Sequence, residues 1–228
     1  MHRLVLAAAL AALGGLGAAQ AATVTAFGGD ADFLSFCGGC VVAEGEIRGG
    51  NARLNGDYEL DLRPTGRFGA NPAQAVHVSG RSQGFALSHD GAGTLSLRFG
   101  EGPSTQATGL DLGAVKSLFI RVSSRNRGSL ALDAMELYAG GAIHGIGNVA
   151  PEEAVEYLAV GGIDFAREFH LTGDARFDFD QPNLGSHLSA QFKLTDADLA
   201  PVPVPAAGAL LLGALGALGL ARRRRRAA

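Results

Sequence analysis

Cys37-Gly38-Gly39-Cys40 holds the only two cysteines of this 228-residue chain. The C-x-x-C spacing admits a redox centre, half of a zinc site, or a small structural disulfide. A redox centre wants its first thiol at the start of a helix that follows a strand. Here two glycines fill the middle and Val41-Val42 follows, which reads as a hairpin turn between strands. Zinc needs four ligands, and there is neither a second C-x-x-C nor a clustered histidine pair. The spacing is therefore read as a structural disulfide, Cys37 to Cys40, pinning a turn.

Asp174, Asp178 and Asp180, with Asp30 and Asp32, are the tightest carboxylate groups. On a strand, Asp178 and Asp180 share one face, opposite Phe177 and Phe179. Two carboxylates so placed suit calcium, or the acid and nucleophile of a sandwich glycosidase. Arg176 on the same face offers a simpler account, as a cross-strand charge partner. Asp178 and Asp180 are thus weak metal candidates, and the order D-x-D-x-D-G is absent. The histidines are scattered, with no H-x-x-x-H spacing, and no G-x-S-x-G nucleophile turn occurs. His170 and Thr172 fall opposite Phe169 and Leu171, where solvent exposure explains them. No Trp and three Tyr make a thin supply of sugar-stacking platforms. The expectation is no cofactor, no catalytic residue and no enzyme.

The elements that must position these residues read as strands. Tyr58, Leu60 and Leu62 alternate with Glu59 and Asp61. Phe85 and Leu87 lead to Asp90-Gly91-Ala92-Gly93, and Leu95, Leu97 and Phe99 follow, a hairpin with a Gly-rich loop. Leu118, Ile120 and Val122 make another strand, and Leu130, Leu132 and Leu137 point to the next. Phe169, Leu171, Phe177 and Phe179 line one side of a long segment, and Leu188, Ala190, Phe192 and Leu194 close the set. About ten short strands at such spacing predict an all-β fold, an antiparallel β-sandwich of jelly-roll type. Only Pro151 to Glu156 carries the signals of a first helical turn, and Val155, Tyr157 and Leu158 equally suit a strand.

Both ends read as addresses. Met1-His2-Arg3, the apolar run Leu4 to Ala19 and Ala19-Gln20-Ala21 form a signal peptide, 1–21, cut after Ala21. A β-sandwich domain then occupies 22–198, and 199–228 is a sorting segment. Pro201, Pro203 and Pro205 forbid a helix and leave the chain extended. Ala206 to Ala221 is Ala, Leu and Gly only, and as a helix it spans roughly 24 Å, a marginal transmembrane helix. Arg222, Arg223, Arg224, Arg225 and Arg226 hold the C-terminus in the cytoplasm. The chain has 19 basic and 22 acidic residues; losing Arg3 and the five terminal arginines leaves 13 against 22, a net of −9. So acidic an exported domain argues against nucleic acid as partner.

Val202-Pro203-Val204-Pro205-Ala206-Ala207, the Leu210 to Leu220 helix and the arginine block resemble the PEP-CTERM sorting signal of Gram-negative bacteria in its VPLPA-type variant, departing from the main form at Val204. That resemblance implies an exosortase as partner, besides signal peptidase. It also implies transient residence in the inner membrane, then release or attachment at the cell surface or in the extracellular matrix, alongside exopolysaccharide production and biofilm. The blocks Asn55-Gly56, Leu118-Phe119-Ile120-Arg121, Val155-Glu156-Tyr157-Leu158, Phe169-His170-Leu171-Thr172-Gly173 and Ser189-Ala190-Gln191-Phe192-Lys193 resemble a choice-of-anchor domain of the W type, a β-rich module with no enzymatic activity to transfer. The expected function is a non-enzymatic, exosortase-processed surface protein. The alternatives are a calcium- or glycan-binding adhesion module and a polysaccharide-modifying enzyme.

Overall fold

The computed structural model describes residues 22–49, 58–64, 73–75, 79–102, 104–125, 128–152, 154–179 and 188–199. Within them lie β1 (Thr23–Phe27), α1 (Asp30–Phe36), β2 (Val41–Arg48), β3 (Tyr58–Pro64), β4 (Ala73–Ala75), β5 (Ser82–His89), β6 (Leu95–Phe99) and β7 (Ser104–Ala107). The chain continues through β8 (Ser117–Ser123), β9 (Gly128–Ala139), β10 (Ala142–Val149), β11 (Val155–Gly161), β12 (Phe169–Phe179) and β13 (Ser189–Thr195). Two antiparallel sheets result, β1-β11-β8-β13-β2-β3-β4 and β10-β9-β12-β5-β6-β7. The predicted all-β sandwich is the observed class. The segments assigned to the signal peptide and the membrane helix lie outside the described residues.

Alternation explains the layers. In β6, Leu95, Leu97 and Phe99 are fully buried, and in β8 so are Leu118, Ile120 and Val122. Because successive side chains point to opposite faces, each sheet turns one greasy face inward. Phe85 of β5 meets Phe192 of β13 with ring centroids 5.2 Å apart. Gly45 brings the β2 backbone close in: a Cβ there would lie 3.2 Å from Leu62 and 3.4 Å from Leu97.

One irregularity re-aims a strand. Thr172 of β12 faces Glu136 of β9, but Asp174 faces Asp133, so β9 carries one extra residue. Ala134 absorbs it in the left-handed region, φ 49°, and its amide donates to Asn148 Oδ1 at 2.8 Å. Burial therefore switches from Leu130 and Leu132 to Met135 and Leu137. Gly173 sits opposite, where a Cβ would come within 3.0 Å of the Phe85 ring, the Asp133 carbonyl oxygen and Met135.

Two local expectations change. The cysteines join a helix to a strand, because α1 precedes Cys37 and β2 follows Cys40. Asp30 and Asp32 in the first turn favour that helix electrostatically, and Phe33 anchors it. The helical option over Pro151 to Glu156 gives way to a strand, since β11 starts at Val155 and pairs with β8 and β1.

Candidate functional site

The outer face of the seven-stranded sheet is where charge accumulates. Alternation turns Glu44, Glu46 and Arg48 of β2, Asp61 and Arg63 of β3, and Gln191 and Lys193 of β13 to that side. Register then sets Lys193 and Arg63 on either flank of Glu44. Lys193 Nζ donates to Glu44 Oε2 at 2.7 Å and Arg63 Nη2 to Glu44 Oε1 at 2.6 Å. Glu46 accepts from Arg48 Nη2 at 2.6 Å and Gln191 Nε2 at 2.8 Å. Arg63 also lies 3.6 Å from Glu46 and 3.5 Å from Asp61.

This lattice is dry. Although both point away from the core between the sheets, Glu46 is 1 % exposed and Asp61 5 %. Asp61 Oδ1 is buried and has no hydrogen-bond partner among the described residues. Burial alone would raise Glu44, but the charge and hydrogen bond of Lys193, then Arg63, overrule it and hold the carboxyl below its ordinary value. Saturated by donors and kept ionised, Glu44 suits a tie between strands better than a proton donor.

Beside the lattice the same face becomes aromatic, and α1 covers it. Phe33 stacks on Tyr157 with centroids 5.0 Å apart and 10° between planes, and meets Phe119 edge-on at 5.1 Å. Lys193 Nζ lies 5.8 Å from the centroid of the Phe33 ring, joining the two halves by a cation–π contact. Arg121 of β8 forks onto Asp30 at the start of α1, and Tyr157 Oη donates to Asp30 Oδ1 at 2.8 Å. The Arg121 hydrogen bond holds Asp30 down at about 2, against an opposing push from burial. Tyr157 is pushed up, first by burial and then by Asp30. Burial pulls Arg121 down, and its Asp30 partner more than reverses that. Cys37 and Cys40 form the expected disulfide, with Cα atoms 5.1 Å apart. Asp196 N donates to the Cys40 carbonyl at 3.0 Å.

Of the carboxylates singled out by spacing, Asp30 and Asp32 open α1, while Asp174 and Asp178 lie on the outer face of the other sheet. Asp178 is exposed and accepts from Ser79 Oγ at 3.4 Å. Arg176 makes no ion pair with it among the described residues, so the expected charge partner is replaced by a hydroxyl. Asp174 stands opposite Asp133. No group of three or more His, Cys, Asp or Glu able to hold a metal occurs among the described residues. His170 and Thr172 do face outward, and His170 Nε2 pairs with Glu168 Oε1 at 2.9 Å. His89 is instead buried: its Nδ1 lies 3.0 Å from the Arg167 carbonyl, and its Nε2 accepts the Gly93 amide at 3.3 Å. One nitrogen must donate and the other accept, which fixes the neutral Nδ1–H tautomer and clasps two loops.

Asp180, Ala19, Ala21, Val202, Pro203, Val204, Pro205 and Arg222 to Arg226 fall outside the described residues. No protein-family model matches the chain, and no curated protein matches its sequence. Sequence reasoning missed both the ionic lattice and the Asp30–Arg121–Tyr157 cluster. The available signal for the first was alternating charge, Glu44-x-Glu46-x-Arg48 and Asp61-x-Arg63, in strands whose intervening residues are apolar or Gly.

Proposed function

We propose that this chain is an exported, exosortase-processed protein whose non-enzymatic β-sandwich serves at the cell surface or in the extracellular matrix, in association with exopolysaccharide. The supporting observation is where the sandwich closes. β1 starts at Thr23, two residues past Ala21, and β13 ends at Thr195, seven before Val202. β13 lies inside its sheet, between β8 and β2, so the fold needs the chain through Thr195. Beyond it, Ser117 Oγ donates to the Ala197 carbonyl at 2.7 Å, and Leu199 packs against the Phe33 cluster. A cut within Val202–Pro205 spares every one of these contacts. The Cys37–Cys40 disulfide fits an oxidising compartment.

The strand order favours a jelly roll. With β1, β3–β4 and β6–β7 set aside, the sheets read β11-β8-β13-β2 and β10-β9-β12-β5. β8 to β9, β10 to β11, β11 to β12 and β12 to β13 each cross between sheets, giving two Greek keys. The donor-saturated carboxylates of Glu44 and Glu46 favour a binding or structural part over a hydrolase.

Replacing Val202-Pro203-Val204-Pro205 by alanines, in the producing bacterium, tests the reading. The variant is expected to accumulate uncut in the inner membrane while wild-type protein reaches the surface or medium. Identical processing of both contradicts it.

A further inference from the structure

We propose that the outer face of the six-stranded sheet binds a neutral, polyhydroxylated glycan chain along β5. The site begins with a cavity of about 570 Å³ over the Gly84 end of β5, lined by Arg81, Arg98, Glu101, Thr172, Gly84 and Ala86, among others. That volume lies in the range of small-ligand sites. β5 is an interior strand whose edges are taken by β12 and β6. An added strand therefore has no backbone to pair with, and any occupant is read by side chains.

Charge decides the class of occupant. The side chains of Arg81, Arg98 and Glu101 make no ion pair or hydrogen bond among the described residues. Asp174 stands beside Gly84 in the cross-strand register. Arg81, Arg98 and Glu101 line the space itself, and the Asp174 carboxylate stands at its edge, Oδ1 3.9 Å from where a Cβ on Gly84 would lie. A polyanion meets Glu101 and Asp174 in a domain that is already acidic, and a polycation meets both arginines. A hydroxyl donates to a carboxylate and accepts from a guanidinium with equal ease, so a polyol satisfies all four groups.

The apolar side of a sugar ring has its own place. Two of the four exposed large hydrophobics among the described residues, Tyr138 and Ile143, stand on this face, 43 % and 68 % exposed. They are direct cross-strand partners. The Tyr138 and His170 rings lie with centroids 6.2 Å apart and planes 33° apart, and Glu168 holds the imidazole. An aromatic ring with a wet edge can face sugar C–H groups and still keep its polar tip in water. Register runs Tyr138–His170–Ser88, then Glu136–Thr172–Ala86–Arg98, then Asp133–Asp174–Gly84. With about 7 Å between same-face rows along a strand and nearly 5 Å between strands, Tyr138 on β9 and Gly84 on β5 are roughly 17 Å apart. That separation calls for a chain of several sugar units.

Gly84 makes the site testable without damaging the fold. A Cβ there would meet Asp174 Oδ1 and the Gly173 carbonyl oxygen at 3.9 Å, ordinary contact distances. Gly84→Leu therefore fills the cavity while leaving the strand intact. The proposal rests on the exported reading only for access to glycan, and binding by purified protein tests it separately from processing. The full chain, in a detergent without a sugar headgroup, is applied to an array of neutral gluco-, galacto- and manno-hexasaccharides, with alginate as the acidic arm. The expected result is retention on at least one neutral hexasaccharide, insensitive to a calcium chelator. Retention should fall at least tenfold in Gly84→Leu and in Tyr138→Ala, with thermal melting of Gly84→Leu unchanged. No retention on any neutral glycan, preference for alginate, or equal retention by wild type and both variants overturns it.

Discussion

Arg121 grips both carboxylate oxygens of Asp30 across 91 positions of sequence, Nε to Oδ1 at 2.7 Å and Nη2 to Oδ2 at 2.9 Å. The fork ties the first turn of α1 to the centre of the seven-stranded sheet. Planar bidentate pairs of this kind combine charge with fixed orientation. The helix is only seven residues long, too short to persist without such contacts.

Acid should loosen that tie. Asp30 is held at about 2 by Arg121, against an ordinary 3.8. A depressed carboxylate stabilises the fold fully above its unfolded value, and the effect is lost as pH falls from about 4 towards 2. The side chain is 42 % exposed, so after solvent screening the contribution is about 1 kcal/mol. Asp30→Asn is expected to be less stable than wild type by that amount at pH 7, with the gap closing near pH 2. Denaturant melts across pH check it; a gap constant with pH contradicts the assignment.

The ionic lattice makes an asymmetric prediction. Lys193→Met leaves Glu44 buried with one cation fewer and should cost roughly 3 kcal/mol. Adding Glu44→Gln removes the stranded charge, so the double variant should lose less than the two single losses combined. Urea unfolding of the four proteins measures the coupling, and strict additivity would mean that Lys193 and Glu44 do not interact.

The bulge gives a contrast between two small residues. Ala134 occupies φ 49°, where glycine is unstrained, so Ala134→Gly should gain about 0.5–1 kcal/mol. Gly173→Ala pushes a methyl into the Phe85 ring and the Asp133 carbonyl and should lose about 1–3 kcal/mol. Thermal melts of the two variants should move in opposite directions.

Strands were legible because each sheet has one dry and one polar face: Leu95, Leu97 and Phe99 announce β6 by alternation alone. The bulge left a trace too, since Leu130 and Leu132 are out of phase with Leu137. Helix α1 left none that periodicity could find, for seven residues span two turns and Phe33 is the only one buried. The lattice was hidden for another reason. Charged residues on a strand look the same whether their face is wet or covered. Pairing Lys193 with Glu44 also requires knowing that β13 lies beside β2, 149 positions away. The same ignorance of strand order hid the aromatic platform, because Tyr138 and His170 meet only through the β9–β12 register.

Under the proposed function, two address segments are removed from a sandwich whose described strands lie between them, from Thr23 to Thr195. Mass spectrometry of the protein recovered from the surface or medium of the producing bacterium tests this most directly. The expected product has its N-terminus at Ala22 and its C-terminus within Val202–Pro205. A soluble cytosolic polypeptide that still runs from Met1 to Ala228 would contradict it.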